Sequence, residues 1–400
     1  MLREQLNQQL HEAEAAQLRR RRRTVQSPCA PQQVVDGRVV LAFCSNDYLG
    51  LANHPEVVTA MQAAVQKWGV GSGASHLVSG HTQAHSDLEN LLAQWQSPSI
   101  PQAQGLAFCT GFMANVALMA ALGDSTTTTI FADKWNHASL VDGALLAKAR
   151  LQRYPHGNLA HLQRLLEASD AKVKLIVTDG VFSMDGDIAD IPALLALAEQ
   201  HQAWLVVDDA HGLGVLGTHG QGCLAHYHVH SDRLIWMGTL GKAVGVSGAV
   251  VVAHADIIAG LVQKARPYIY STATPAALAE TACASLRWIA SAQGDVQRAH
   301  LQALIAQLRT GLAPLVARHA GWSLPASHTA IQPLIVGSNA HALALSAALE
   351  QKGIWVPAIR PPTVPEGTAR LRITLSAAHT TEQVQRLLQA LAAAAQEVGV

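Results

Sequence analysis

The sequence predicts a three-layer α/β/α domain followed by a smaller α+β domain. Between about residues 55 and 255, short apolar runs alternate with segments of helical periodicity, a pattern typical of a mostly parallel sheet with helices on both faces. After about residue 290, the pattern predicts a long helix, strands and a final helix instead. Hydrophobic residues make up 49% of the 400 residues and charged residues 14%, which favours a large buried core over disorder.

The N-terminal segment is predicted to be one charged helix over residues 3–23. It ends in five consecutive arginines, at residues 19–23, before Pro28 and Pro31 break the pattern. A solvated helix end is the ordinary interpretation of this run, and a specific anion site is the alternative. Lys plus Arg and Asp plus Glu both number 28, so the balanced charge indicates neither nucleic acid nor an anionic membrane as the main partner.

Six short apolar runs are predicted to form the strands of the large domain. They cover residues 105–108, 128–132, 175–178, 204–207, 234–237 and 249–253. The small domain is predicted to have strands at residues 331–336 and 370–375, and a final helix that Thr381 can cap. The apolar stripe of that helix comprises Val384, Leu387, Leu388 and Leu391. We predict an N-terminal helical segment over 1–50, a large domain over 51–288 and a small domain over 289–400.

The five cysteines are scattered, without the close pairs of a zinc or redox motif, so we interpret them as free thiols in a reducing compartment. No apolar run approaches the roughly 20 residues of a membrane helix. Charged Arg3 and Glu4 stand where an apolar signal segment would begin, so the predicted location is the cytoplasm, with no membrane partner.

Lys242 is the first candidate catalytic residue. It follows the predicted strand 234–237 and lies between Gly241 and Gly245, where partial desolvation would lower the pKa of its amine and suit it to imine formation. Taken alone, a lysine at such a position is more often a surface residue. The frame GxxxxGK[ST] is absent around it, which excludes a P-loop.

Two carboxylates and an imidazole follow the predicted strand 204–207. A carboxylate at a strand end can pair with the protonated pyridine nitrogen of pyridoxal 5'-phosphate (PLP), and we choose Asp208 for this role. His211 could donate to the phenolic oxygen of the ring or stack near it. A capping aspartate beside a surface histidine is the alternative for this segment in isolation.

Two further strand ends fit the same cofactor. Thr110, Gly111 and Phe112 precede an apolar helix, whose N-terminal N–H groups can bind a phosphate, although ordinary βα turns share this pattern. His137 follows the strand at 128–132, where it could lie flat on a pyridine ring, although most histidines are structural.

Metal and dinucleotide sites are not predicted. His81 and His85 have i, i+4 spacing but lack the glutamate of HExxH, and the histidines at 226, 228 and 230 alternate in a loop-like stretch. The stretch at residues 71–76 is not GxGxxG, and no acidic residue follows at the distance that a nicotinamide site requires.

Six ordered stretches together resemble the α-oxoamine synthase family of fold-type-I PLP enzymes, and the resemblance spans nearly the whole chain. They read SNDYLGL (45–51), GSGASHLVSG (71–80), NHASL (136–140), DGVFSMDGD (179–187), DDAHGLGV (208–215) and TLGKAVGVSG (239–248). The resemblance implies the PLP-transferase type I fold for the large domain. It also implies that Lys242 forms the Schiff base, that Asp208 pairs with the pyridinium and that His137 stacks on the ring.

The resemblance implies further cofactor residues and a dimer. Those in the same subunit are Gly111, Phe112, Ser183, His211 and Thr239. Ser271 and Thr272 would reach the phosphate of the partner subunit, so a homodimer with shared active sites is expected.

The C-terminal stretches 358–365 and 369–372 resemble the pimeloyl-using branch of the family more than its glycine-using relatives. The implied substrates are therefore L-alanine and a pimeloyl thioester, carried by CoA or by acyl-carrier protein. The arginines of these stretches suit a carboxylate because a guanidinium fork matches its geometry. The candidate substrate-binding residues are Arg20, Asn46, His137, Arg360, Thr363 and Arg372. The arginines that surround Arg20 are alternatives to it.

The predicted reaction is a decarboxylative condensation in which Lys242 acts as the base at Cα. The nearest alternative is a glycine C-acetyltransferase, which would share every cofactor residue and differ in amino acid and acyl length. A non-catalytic protein that holds nucleic acid through the arginines at 19–23 is the alternative from another class. The presence of Lys242, Asp208 and His211 speaks against it.

Overall fold

The computed structural model describes residues 1–399, which form one seven-stranded sheet, two three-stranded sheets and the helices around them. The strands are β1 (Gln32–Val35), β2 (Arg38–Ala42), β3 (Ala103–Phe108), β4 (Thr128–Asp133), β5 (Arg150–Tyr154), β6 (Val173–Asp179), β7 (Trp204–Asp208), β8 (Leu234–Thr239), β9 (Ala249–His254), β10 (Ile331–Gly337), β11 (Ile354–Trp355), β12 (Ala358–Ile359) and β13 (Ala369–Thr374). The α-helices are α1 (Leu2–Ala15), α2 (Pro55–Trp68), α3 (Gln83–Gln96), α4 (Gly111–Leu122), α5 (Ala138–Leu146), α6 (Leu159–Glu167), α7 (Ile191–Gln200), α8 (Cys223–Tyr227), α9 (Ala255–Lys264), α10 (Arg266–Tyr270), α11 (Ala276–Ile289), α12 (Ala292–Arg318), α13 (Asn339–Gln351) and α14 (Thr381–Val398).

The chain divides into two compact units. The larger unit comprises residues 47–183 and 187–299, and the smaller unit comprises residues 1–46, 184–186 and those from 300 onwards. In the structure the N-terminal segment thus shares a unit with the C-terminal segment, and the division falls inside α12. The domain boundaries predicted at residues 50 and 288 remain a proposal.

The large unit is built on a seven-stranded sheet with the order β3-β9-β8-β7-β6-β4-β5. Strands β4 to β8 pair in parallel, and β9 is antiparallel to both β3 and β8. Alternate strand residues such as Ile130, Val177 and Ile235 pack in one apolar cluster with residues of α4, α5 and α9. The residues between them, such as Phe131 and Ile176, are buried too, so both faces of the sheet are covered. The predicted three-layer architecture is confirmed.

One strand of this sheet was missed by the sequence analysis. Strand β5 pairs only with β4 and forms an edge of the sheet. Its sequence, RLQRY, has a mixed burial pattern because an edge strand is partly solvated, so it lacks the apolar run that marks the other six strands. Those six predicted strands are all present as β3, β4, β6, β7, β8 and β9.

The predicted helix over residues 3–23 is wrong beyond Ala15, where α1 ends. Gln17 adopts a left-handed conformation with φ of 58°, and the N–H groups of Leu18 and Arg19 both donate to the Ala13 carbonyl, which closes the helix. The arginine run therefore lies outside the helix. A helix would have stacked these like charges at i, i+3 and i, i+4 spacing, which is unfavourable.

Outside the helix, the arginines can reach acidic partners. Arg19 and Arg21 both pair with Glu14, and Arg23 pairs with Asp36 and Glu350. Three of the five arginines are thus engaged in ion pairs of the smaller unit.

The smaller unit contains the sheets β1-β2-β11 and β10-β13-β12, and α13 packs on α14. The predicted stripe of α14 is buried, but its cap is Thr380 rather than Thr381. Thr380 Oγ1 accepts from the Gln383 N–H, and Gln383 Oε1 accepts from the Thr380 N–H, which satisfies two N–H groups reciprocally. Within residues 1–399, none of the helices combines the length and hydrophobicity needed to cross a lipid bilayer.

A buried carboxylate links three elements of the large unit. Asp209, directly after β7, accepts hydrogen bonds from the Cys223 N–H at 2.7 Å and from Trp236 Nε1 at 2.8 Å. Burial raises the pKa of Asp209 to about 6. A Cβ on Gly212 or Gly222 would come within 2.1 Å of an Asp209 carboxylate oxygen, so glycine is required at both positions.

We expect Trp236→Phe to lower the free energy of unfolding by about 1.5–3 kcal/mol, the usual contribution of a hydrogen bond to a charged group. The phenyl ring is smaller than the fully buried indole, so a cavity adds to this loss, and the buried Asp209 loses a donor. Urea unfolding followed by fluorescence measures the change as a lower midpoint with an unchanged slope. The control for the lost volume is Trp95→Phe, at a buried tryptophan of α3, and an equal loss in the two variants would contradict the prediction.

Candidate active site

A pocket of about 530 Å³, part of which is open solvent, lies wholly within the larger unit, at the carboxyl ends of the parallel strands and the N-terminus of α4. This is where ligands bind in open α/β sheets. The lining residues are Gly111, Phe112, Asn115, His137, Ser139, Asp179, Val181, Ser183, Asp208, Ala210, His211, Met237, Thr239 and Lys242. Eight of these were singled out from the sequence: Gly111, Phe112, His137, Ser183, Asp208, His211, Thr239 and Lys242.

Lys242 is the first member of a hydrogen-bonded row. Its Nζ lies 2.7 Å from His211 Nε2, and His211 Nδ1 lies 2.5 Å from the Tyr48 hydroxyl. His211 and Tyr48 are both buried, whereas Lys242 is half-buried. The His211 imidazole therefore orients the Lys242 amine, and the Tyr48 phenol in turn orients the imidazole.

Asp208 is the end of a second row. Its Oδ2 accepts from Asn115 Nδ2 at 2.6 Å, and its Oδ1 accepts from the Ala210 N–H at 3.0 Å. Asn115 Nδ2 also donates to Ser139 Oγ, which lies 2.7 Å from His137 Nδ1. Burial lowers the pKa of His137, against the opposing effect of the Asp208 charge. The row fixes the carboxylate of Asp208 and the ring of His137 in one network.

The N-terminus of α4 offers a site for an anion. Thr110 caps the helix, because its Oγ1 accepts from the Met113 N–H and its carbonyl accepts from the Ala114 N–H. The first two N–H groups of the helix, at Gly111 and Phe112, are thus the ones left to bind a ligand in the pocket.

Asp179 is a second buried carboxylate that the sequence analysis left without a role. Its Oδ2 accepts from the His137 N–H at 3.0 Å, and its Oδ1 has no hydrogen-bond partner within residues 1–399. Burial, followed by the Asp208 charge, holds the pKa of Asp179 well above its usual range. Asp179 ends β6, so the rule that identified Asp208 at the end of β7 would also have identified it.

The remaining predicted site residues do not line this pocket. Ser271 and Thr272 belong to the larger unit, where Thr272 forms a bridge with Ser75 and its carbonyl accepts from Cys109 Sγ. The other residues belong to the smaller unit and comprise Arg20, Asn46, Arg360, Thr363 and Arg372.

Within the smaller unit, Arg372 and Asn46 are in contact. Both terminal nitrogens of buried Arg372 donate to Asn46 Oδ1 at 3.3 Å, and Nη1 also donates to Thr374 Oγ1 at 3.0 Å. Arg360 donates to the Gln17 carbonyl, and the Thr363 N–H donates to the Arg360 carbonyl. Arg20 is exposed.

His156 connects the segments that follow β4 and β6. Its Nδ1 lies 3.1 Å from the Asp133 carboxylate, its Nε2 lies 3.0 Å from Asp187 Oδ2, and its ring stacks on Trp135 at 3.9 Å. Burial alone would lower the pKa of His156, but the hydrogen bonds to the two carboxylates outweigh it and raise the pKa to about 9. The resulting ion-pair network holds the turn after β6 that carries Ser183.

The residues of the pocket fit PLP by their chemistry. Lys242 supplies an amine for the cofactor aldehyde, buried Asp208 supplies a carboxylate for the pyridine nitrogen, and the N-terminus of α4 supplies N–H groups for the phosphate. Asp179 Oδ1 has no hydrogen-bond partner within residues 1–399, so the pocket contains a buried polar atom that a bound ligand could satisfy. Fold and pocket together define a fold-type-I PLP-dependent enzyme.

Comparison with known proteins gives the family. The family model described as aminotransferase class I and II matches residues 38–391. The 8-amino-7-oxononanoate synthase 2 of Polaromonas sp. strain JS666 is 62% identical over 405 residues, which cover 100% of both chains. The chain belongs to the aminotransferase class I and II family and, within it, to the 8-amino-7-oxononanoate synthases. The resemblance to the α-oxoamine synthases is thereby confirmed.

Solved structures agree with this assignment. The structure of SPT with its PLP internal aldimine superposes with a TM-score of 0.90 at 27% identity, covering 99% of this chain and 98% of that one. The crystal structure of 8-amino-7-oxononanoate synthase from Francisella tularensis gives a TM-score of 0.75 at 30% identity, covering 90% and 99%. The cofactor of this enzyme is PLP, as predicted from Lys242 and Asp208.

We expect His156→Gln to destabilise the protein by on the order of 3 kcal/mol below about pH 6.5, because glutamine keeps hydrogen bonds but carries no charge. A raised pKa means that the stabilisation is complete below the ordinary value of 6.5 and is lost as the pH rises through about 9. Melting temperatures of both proteins between pH 6 and 10 measure this. If the difference in melting temperature between the two proteins did not shrink with rising pH, His156 would not be charged in the folded protein.

Proposed function

We propose that the protein condenses L-alanine with a pimeloyl thioester to give 8-amino-7-oxononanoate, CO2 and free thiol, a step of biotin biosynthesis. The proposal rests above all on one observation: a chain that is 62% identical over its full length to an 8-amino-7-oxononanoate synthase holds Lys242 and Asp208 in one pocket. We further propose a cytoplasmic homodimer, in which Ser271 and Thr272 contribute to the cofactor phosphate site of the partner subunit.

Lys242 is assigned to hold the cofactor and then to move the proton at Cα of the amino acid. When bound, PLP supplies a carbonyl carbon that the amine can attack and a ring that accepts the electrons of the broken Cα bond. The Lys242 amine can exchange a proton with His211 across 2.7 Å, and Tyr48 holds the other nitrogen of that ring. This row supports a lysine that gives and takes protons in turn.

Asp208 is assigned to hold a proton on the pyridine nitrogen. The Asn115 amide and the Ala210 N–H both donate to its carboxylate, so the charged form is hydrogen-bonded on both oxygens. His137 is assigned to cover the ring, because its orientation is fixed by Ser139 and its backbone by Asp179. Gly111, Phe112, Ser183 and Thr239 complete the proposed cofactor site.

The substrate residues are proposed in the smaller unit. Arg372, which Asn46 and Thr374 orient, is assigned with Arg360 to a substrate carboxylate, because a guanidinium fork can bind both oxygens. Thr363 is assigned to the acyl group, and Asn46 and Arg20 to substrate contacts.

We expect purified PLP-loaded protein to release free thiol from pimeloyl-CoA when L-alanine is added. Glycine with acetyl-CoA should release far less, and a thiol-reactive dye measures both rates. The reverse preference would place the protein with the glycine C-acetyltransferases. Absence of release with pimeloyl-CoA and with pimeloyl-acyl-carrier protein would contradict the proposal.

We expect Lys242→Ala to lower the turnover rate by at least the roughly 10²- to 10⁴-fold that positioned proton transfer contributes. The absorbance of the protein-bound Schiff base should disappear as well, while the far-UV circular dichroism stays unchanged. Lys172→Ala, an exposed lysine outside the pocket, is the matched control. If Lys242→Ala retained turnover, the assignment of Lys242 as the base at Cα would be wrong.

A further inference from the structure

Three histidines of the larger unit meet outside the cofactor pocket. His76 lies on a π-helical turn (His76–Gly80), His85 lies in the first turn of α3, and His81 lies between these elements. One ring nitrogen from each histidine lies within 4.8 Å of those of the other two. His81 and His85 lack the glutamate of HExxH, and the π-helical turn adds His76 as a third member of the cluster.

His76 and His81 face each other through nitrogens that share one proton. Their Nδ1 atoms are 3.0 Å apart. A neutral imidazole carries one N–H and one lone pair, so one of these two atoms donates and the other accepts. Two ligands at the Zn–N distance of about 2.0–2.1 Å stand roughly 3.0–3.4 Å apart at bond angles near 90–110°. The observed separation therefore suits a divalent cation in place of the shared proton.

His85 has the tautomer that a ligand requires. Its Nε2 lies 2.7 Å from the Thr274 carbonyl oxygen, which can only accept, so Nε2 carries the proton and Nδ1 carries the lone pair. The Nδ1 now accepts from the Thr82 N–H at 3.1 Å and lies 2.9 Å from Thr82 Oγ1, and a metal would replace both contacts. A histidine whose one nitrogen donates to a backbone carbonyl and whose other nitrogen carries the lone pair is typical of metal sites.

A carboxylate also lies near His81, beyond hydrogen-bond distance. Glu89 Oε2 is 3.8 Å from His81 Nε2, which also lies 3.0 Å from Ser86 Oγ. Burial raises the pKa of Glu89 to about 7. A cation on the opposite nitrogen of His81 would strengthen the donor that faces this carboxylate, as in the carboxylate–histidine pairs of zinc proteins.

The surroundings keep the three rings neutral and leave one side accessible. Burial lowers the pKa of all three histidines, that of His76 to about 4, with smaller contributions from neighbouring histidines at His76 and His81. His76 is buried, and its Nε2 has no partner within residues 1–399. His81 is exposed, so an ion can reach the cluster from its side.

We propose that His76, His81 and His85 bind one divalent transition-metal ion, with Zn²⁺ as the preferred class of ion. Imidazole ligands suit zinc, cobalt, nickel and copper better than magnesium or calcium. The ion would fasten the π-helical turn to the start of α3 and, through His85, to the Thr274 carbonyl. It would thereby stiffen the segment whose Ser75 bridges to Thr272. The site is independent of the proposed reaction.

The test is metal binding to the untagged, PLP-loaded protein after dialysis against a chelator. Zn²⁺ is titrated by calorimetry, and Co²⁺ is titrated by its visible d–d absorbance, which reports imidazole ligation independently of enzyme activity. We expect one equivalent of each ion, and a rise in melting temperature on binding. Glu89→Gln should weaken binding roughly 10- to 100-fold, as loss of an outer partner of a ligand does.

His81→Gln should weaken binding more than Glu89→Gln, because a ligand is removed and not merely its partner. His81 is exposed, so we expect the variant to fold. The circular dichroism and the PLP absorbance of the variant protein check this. His341→Gln, at an exposed histidine of α13, is the matched control for surface binding and should bind as the parent does. Equal affinity in His81→Gln and His341→Gln, or no Zn²⁺ binding to the folded parent protein, would overturn the proposal.

Discussion

Burial of the central sheet on both faces is the constraint on which the rest of the larger unit depends. Strands whose side chains are covered on both sides can carry almost no polar groups along their length, so polar side chains collect where the strands end. Because β4, β6, β7 and β8 run in parallel, their carboxyl ends lie along one edge. His137, Asp179, Asp208 and Thr239 are brought to a single pocket for this reason.

Adjacent aspartates at the end of β7 lie in different surroundings, one in the pocket and the other in the core. Asp208 faces the pocket and is held by an amide and a backbone N–H, whereas Asp209 turns into the core and accepts from Trp236 and Cys223. The alternation of side chains along an extended backbone separates the two carboxylates. The sequence DD alone indicates two acids, and the glycines that crowd Asp209 decide which of them is structural.

The central strands and eight pocket residues could be predicted because each depends on local pattern: an apolar run, a polar residue after it, and a match to a known family. Features that depend on partners distant in sequence could not. Asn115, on α4, binds Asp208 across 93 positions, and Tyr48 binds His211 across 163. The end of α1 and the π-helical turn at His76 depend on unusual backbone geometry that no composition signal marks.

The polar edge strand that the sequence did not reveal has a consequence for solubility. Strand β5 closes one side of the sheet and leaves a row of backbone groups without a neighbouring strand, which another chain could extend. Arg150 and Arg153, both exposed, lie on this strand, and burying their charges in an intermolecular sheet would be costly. The polar residues of β5 make the strand hard to predict from hydrophobicity. The same residues therefore also protect the folded protein from edge-to-edge aggregation.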